Sequence, residues 1–119
     1  MRMILPVESD WMRLKAAEKL GWRDVEYSRD GYLVGHAPGR KDIKAVPSYA
    51  LDIRAAWDIV NKLLAEGAEV RIGNTLRRIK EYAVEIRWPG SPLVRAVHAC
   101  PSMAICQAFL ESKMSVDAA

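Results

Sequence analysis

The chain has 119 residues, of which 50% are hydrophobic and 28% are charged, and this composition excludes an intrinsically disordered segment. Its net charge of +3 comes from 18 basic and 15 acidic residues, and it excludes a strongly acidic protein that mimics DNA. We expect residues 1–119 to form one domain, with residues 115–119 as a frayed tail.

Cysteine content and hydropathy indicate the compartment. Cys100 and Cys106 are the only cysteines, and on one helix they would lie on different faces, so no disulfide is expected. The apolar run that follows Met3 is too short for a signal peptide, and no run reaches the length of a membrane span. We therefore expect a cytoplasmic protein with no membrane partner.

The first elements predicted along the chain are a helix and a hairpin. Ser9-Asp10 is typical of a helix N-cap, and Gly21 is typical of a helix end. Between them an apolar stripe at helical spacing consists of Trp11, Leu14, Ala17 and Leu20. Asp30-Gly31 lies between β-prone runs and predicts a hairpin, which a basic loop follows up to Pro47.

A second helix is predicted over residues 52–66, between the N-cap Asp52 and the terminating Gly67. Its apolar stripe consists of Ile53, Trp57, Val60 and Leu64. Residues at this spacing share one side of a helix, so the stripe is expected to face the core and Trp57 is expected to be buried.

Three strands and a closing helix follow. Residues 68–73 alternate in polarity and predict a strand, and Leu93 to His98 is predicted as the last strand. Tyr82 to Trp88 gives the clearest period of two in the chain. Pro101 predicts a helix N-terminus, with Ile105 and Phe109 facing the core. The order is α-ββ-α-βββ-α, and short turns make the last strands antiparallel. The predicted fold class is α+β, with a mostly antiparallel sheet packed between helices as an α/β/α sandwich.

Three segments resemble the phage ABA sandwich family, in the family's order. Val46 to Leu63 contains a proline followed by Asp-Ile, Ala-Ala-Trp and Val-x-Lys-Leu. Pro101 to Ala108 is similar to the closing helix of the family, and Glu18 to Trp22 is similar to its opening helix, which ends in Gly-Trp. The resemblance implies a helix–sheet–helix sandwich and a phage or prophage origin. It implies no reaction, because no catalytic residue set comes with the family.

This chain departs from the family pattern at two places. Cys100 stands where a small residue or threonine is usual, and the basic segment Arg77 to Lys80 is an addition of its own.

His98 and Cys100 are the best candidates for catalysis. They are two residues apart at a strand end, before a helix N-terminus whose partial positive charge favours a thiolate. The spacing fits neither a phosphatase loop nor a zinc deaminase, and no usual zinc template is present. We therefore predict no enzyme, no catalytic residue, no metal and no cofactor, and a small Cys100–His98 enzyme is the least favoured function.

Basic side chains near the turn that follows the strand over residues 68–73 form the candidate binding site. Its members are Arg71, Arg77, Arg78, Lys80, Arg87, Arg95 and His98. Arginine clusters bind phosphates in a bidentate manner, so a nucleic-acid or nucleotide-binding module is the alternative function. The competing interpretation of these charges is a solvated turn.

The function that the sequence favours is a non-catalytic phage or prophage accessory protein that binds a host protein or protein complex. Its sharpest form is an antagonist of a host defence system, an inference from origin alone. Leu93 to His98 is expected at a sheet edge, and such strands pair readily with other chains. Self-association as a homo-oligomer is therefore a further expectation.

Overall fold

The computed structural model describes residues 8–75 and 80–112. Its elements are α1 (Glu8–Leu20), β1 (Arg23–Tyr27), β2 (Leu33–His36), β3 (Lys44–Ala45), α2 (Ile53–Ala65), β4 (Glu69–Asn74), β5 (Tyr82–Arg87), β6 (Val94–His98) and α3 (Pro101–Glu111). The predicted α+β class is confirmed. The order is α-ββ-β-α-βββ-α, because the basic loop contributes the short strand β3, which was not predicted. The predicted tail and the basic residues Arg77 and Arg78 lie outside the described residues.

The strands form two antiparallel sheets, with the orders β1-β2-β3 and β4-β5-β6. In the second sheet, Ile72 lies opposite Val84, and Val84 lies opposite Ala96. Successive side chains of a strand point to opposite faces, so this register collects the apolar positions on one face. The predicted meander is confirmed, and β6 lies at an edge of the sheet as expected.

The core lies between the second sheet and the helices. α2 packs against β4, α3 packs against β5 and β6, and α1 packs against α3 and β1. Val84 and Ile86 of the sheet and Ile105 and Phe109 of α3 are at most 1% exposed, as predicted. Burial of each of these side chains stabilises the fold by about 2 kcal/mol.

The buried side of α2 differs from the predicted one. Its buried residues are Ala55, Ala56, Ile59, Val60 and Leu63. Of the predicted stripe only Val60 is buried, and the prediction that Trp57 is buried is wrong, since its residue surface is 46% exposed. The apolar residues of α2 cover an arc of roughly 200° at 100° per residue, which is wider than the arc a packed helix buries. The side that packs includes both alanines, which allow close approach to the neighbouring layer, and the side with Ile53, Trp57 and Leu64 faces solvent.

The start of α1 also differs from the prediction. The helix already includes Ser9 and Asp10, so neither residue precedes it as an N-cap. Trp11 is 53% exposed, whereas Met12 and Ala16 are buried beside Ala17. The other helix starts are as predicted: Asp52 Oδ1 accepts a hydrogen bond from the N–H of Arg54 at 2.9 Å, and Pro101 opens α3.

Candidate functional site

The face of the second sheet that points away from α2 and α3 carries charged side chains. Its charged members, here named the charged sheet face, are Glu69, Arg71, Glu85, Arg87 and Arg95. The strand period places them opposite to the buried Val84 and Ile86. Across the strands, Glu69 pairs with Arg87, Arg71 pairs with Glu85, and Glu85 pairs with Arg95.

The charges on this face are mixed in sign. Arg95 Nε lies 3.4 Å from Glu85 Oε2, and the two side chains form a partly exposed ion pair between neighbouring strands. A depression of about 140 Å³ is lined by Leu93 and by every residue of the charged sheet face except Arg95, and this is too small for a drug-sized ligand. Two carboxylates among three guanidinium groups weaken the positive potential that attracts phosphates. The face is therefore zwitterionic rather than basic.

The predicted binding residues separate into several places. The structure brings together Arg71, Arg87 and Arg95, and Lys80 is exposed in the turn before β5. His98 lies on the helix-covered face of the sheet, since it shares that side of β6 with Ala96. Arg77 and Arg78 lie outside the described residues.

His98 and Cys100 are engaged with main-chain groups. His98 Nδ1 accepts a hydrogen bond from the N–H of Cys100 at 3.0 Å. Cys100 Sγ lies 3.7 Å from the carbonyl oxygen of Ala50, to which the thiol donates. These contacts join the corner between β6 and α3 to the segment before α2. They therefore favour a structural role for His98 and Cys100 over a catalytic one.

Cys106 is the second thiol of α3, and it is fully buried. Burial raises the pKa of Cys106 to about 12, and the nearby Cys100 adds to this effect. Such a thiol stays protonated and unreactive at neutral pH. Among the residues that the structure describes, no group of three or more His, Cys, Asp and Glu side chains could hold a metal ion.

A second surface lies on α2, where large apolar side chains face solvent. Ile53, Trp57 and Leu64, here named the α2 apolar stripe, are 45%, 46% and 52% exposed. Their spacing of four and seven residues places them on one side of the helix. Exposed apolar side chains on one side of a helix, with a tryptophan among them, are typical of an interaction site.

The family model of the phage ABA sandwich domain matches residues 12–110 of the chain. The chain belongs to the phage ABA sandwich family. The match includes both the charged sheet face and the α2 apolar stripe. No curated protein and no solved structure matches the chain.

The segments that resemble the phage ABA sandwich family lie at contacts between its helices and strands. Trp22 is buried, and its Nε1 donates a hydrogen bond to Tyr49 Oη at 3.1 Å. In the Ala-Ala-Trp segment, Ala55 and Ala56 enter the core, and Trp57 points outward. None of the helices described for this sandwich domain is long and apolar enough to cross a membrane.

The α2 apolar stripe was missed because it was assigned to the core of the sandwich domain. The signal that could have revealed it is the excess of apolar residues on α2, which occupy more of the helix than one packed face requires. Two adjacent alanines mark the side of closest packing, since only small side chains allow a helix to approach its neighbours closely. The register of the sheet, by contrast, follows directly from the period of two.

Proposed function

We propose that this phage ABA sandwich protein is a non-catalytic accessory protein that acts by binding a host protein through the α2 apolar stripe. The observation that supports this function is the exposure of Trp57 between Ile53 and Leu64. Apolar anchors at this helical spacing are how an amphipathic helix docks in a groove, so the expected partner has an apolar groove. The most specific form of the proposal is that the partner belongs to a host defence system. Its support is that the chain belongs to a phage family.

The chemistry of the stripe favours a protein over other ligands. Tryptophan is among the residues that contribute most to protein–protein binding, because it buries a large rigid surface with little loss of entropy. Truncation of such an anchor typically costs about 2 kcal/mol, or roughly 30-fold in Kd. The proposed partner is cytoplasmic in the bacterial host.

The absence of catalysis is part of the same proposal, and it rests on the geometry of the best candidate pair. The Cys100 thiol donates to the Ala50 carbonyl oxygen, and His98 Nδ1 accepts from a main-chain N–H, so this nitrogen is not available as a base for the thiol. Nucleic-acid binding receives less support, because Glu69 and Glu85 lie among the arginines of the charged sheet face.

The test compares two tryptophans of similar exposure. Tagged wild-type protein, Trp57→Ala and Trp11→Ala are used to recover partners from a lysate of the bacterial host. Trp11 lies on α1 and is 53% exposed, so its replacement is the matched control. We expect one host protein in stoichiometric amount with wild type and Trp11→Ala, and at least tenfold less with Trp57→Ala. Equal recovery by all three proteins, or recovery of nothing, contradicts the proposal.

A further inference from the structure

Four residues at the centre of the charged sheet face form a two-by-two pattern of opposite charges. Glu69 lies opposite Arg87, and two residues along the strands Arg71 lies opposite Glu85. The sign of the charge therefore alternates both along each strand and across the two strands. We name this set the charge quartet.

Most of the charge in this quartet has no partner among the residues that the structure describes. The described ion pair of the face joins Glu85 to Arg95 of the neighbouring strand at 3.4 Å. Glu69, Arg71 and Arg87 are exposed, and none of them is in an ion pair or side-chain hydrogen bond with any residue in the described ranges. Three long charged side chains thus remain solvated on a sheet face that no described helix covers.

We propose that a second copy of this chain docks on the charged sheet face, related to the first by a two-fold axis. The axis lies midway between the β4-β5-β6 sheets of the two copies and parallel to both sheets. It runs across the strands, between the pair Glu69 and Arg87 and the pair Arg71 and Glu85. A two-fold interface must be self-complementary, and the alternating charges of the quartet make it self-complementary. Glu69 of each copy faces Arg71 of the other copy, and Arg87 of each faces Glu85 of the other. Four pairs of opposite charge result.

The position of Leu93 favours this axis over one that runs along the strands between β4 and β5. That second axis also pairs opposite charges, but β6 of each copy then extends past the edge strand β4 of the other copy and has no strand facing it. The crossing axis stacks β6 on β6 and places Leu93, which is 45% exposed, beside Arg95 of the other copy. The aliphatic part of an arginine can cover such an apolar side chain.

The interface is expected to be weak and sensitive to salt. Exposed ion pairs contribute little free energy, and complementary charges determine the register and the partner more than the affinity. Screening by salt shortens the range of these interactions to about 8 Å at physiological ionic strength. α2 lies on the other side of the sheet, so this dimer leaves the α2 apolar stripe accessible. The inference is thus independent of the proposed function.

Charge reversal in trans tests the dimer. Glu85→Arg and Arg87→Glu each place like charges opposite each other in a homodimer, so each variant alone should be monomeric. In an equimolar mixture the altered side chain of each variant faces an opposite charge, so a 1:1 heterodimer should form. Sedimentation velocity of the wild type, each variant and the mixture at low salt measures this. Arg54→Glu changes an exposed arginine of α2 and should leave the wild-type dimer intact.

The outcomes are distinct. Dimers of wild type and of the mixture, monomers of the single variants, and dissociation in high salt support the proposal. A monomeric wild type, single variants that dimerise like wild type, or a mixture that stays monomeric overturns it. Thermal unfolding of each variant establishes that monomeric behaviour comes from a folded protein.

Discussion

Lys19 of α1 donates a hydrogen bond from its Nζ to the main-chain carbonyl oxygen of Phe109, 2.7 Å away, near the end of α3. It also donates to the carbonyl oxygen of Ser112 and lies 5.0 Å from the centroid of the Phe109 ring. The last carbonyl groups of a helix have no partner within the helix, and a cation there opposes the negative end of the helix dipole. One side chain therefore joins the first helix to the last.

Replacement of this ammonium group should destabilise the domain. Lys19→Met keeps the aliphatic stem but removes the donors, so the free energy of unfolding should fall by about 1–2 kcal/mol. Lys15→Met is the matched control, since Lys15 is on the same helix and makes one exposed ion pair, with Glu18 at 3.8 Å. Its effect should stay below about 0.5 kcal/mol. Urea unfolding measures both, and equal losses in the two variants would refute the role of Lys19.

The orientation of α2 gives a second prediction. Ile59→Ala and Leu63→Ala remove fully buried side chains and should each lower the free energy of unfolding by about 2–5 kcal/mol. Trp57→Ala removes a larger but half-exposed side chain and should cost less than either. Urea unfolding under identical conditions gives the order of the three variants. If Trp57→Ala is the most destabilising, the helix faces the core as the sequence alone suggested.

The parts of the fold that were predictable from sequence are those with a single consistent pattern. Tyr82 to Trp88 alternates strictly, so the strand, its antiparallel neighbours and its buried face followed from the pattern. The side of α2 that packs did not follow, because its apolar arc admits two orientations and the choice depends on where Ala55 and Ala56 meet neighbouring elements. Trp11 of α1 was misplaced as well, since Met12 and Ala16 are buried and Trp11 is 53% exposed.

The candidate site was predictable only in part. Arg71, Arg87 and Arg95 were expected near one another, and the register places them on one face. The same register also inserts Glu69 and Glu85 between them, which a list of basic residues does not reveal. The α2 apolar stripe depends on tertiary packing, so its exposure could not be predicted from helical spacing alone.

Stability at alkaline pH should depend on Cys106. The pKa of the Cys106 thiol is about 12 in the fold, above the ordinary thiol value of 9.0 that applies to the unfolded chain. The unfolded chain therefore loses this proton first. Between these pH values the unfolded state binds fewer protons, and the free energy of unfolding falls as pH rises, by up to about 1.4 kcal/mol per pH unit for this group. Burial also raises the pKa of Tyr49, although the hydrogen bond from Trp22 lowers it, so some slope remains without the thiol.

Cys106→Ala isolates the contribution of the thiol. Its cavity lowers the stability at every pH, so the comparison is between slopes and not absolute values. Urea unfolding at intervals from pH 8 to pH 11 should give a shallower decline for the variant than for the wild type, whose full shift spans pH 9.0 to about 12. Parallel curves would mean that the buried thiol does not titrate differently in the two states.

Nucleic-acid binding is the alternative function, and we expect the carboxylates of the charged sheet face to weaken it. Anisotropy of a labelled single-stranded oligonucleotide should show at most weak binding that falls steeply with salt, because Glu69 and Glu85 oppose the attraction of the arginines for phosphates. Glu85→Gln removes one of these negative charges and should strengthen the binding. If Arg77, Arg78 and Lys80 contact the phosphates, replacement of all three by alanine should abolish the binding without lowering thermal stability. Submicromolar binding by the wild type at physiological salt, unchanged in Trp57→Ala, would make nucleic acid the ligand and remove the case for a host-protein partner.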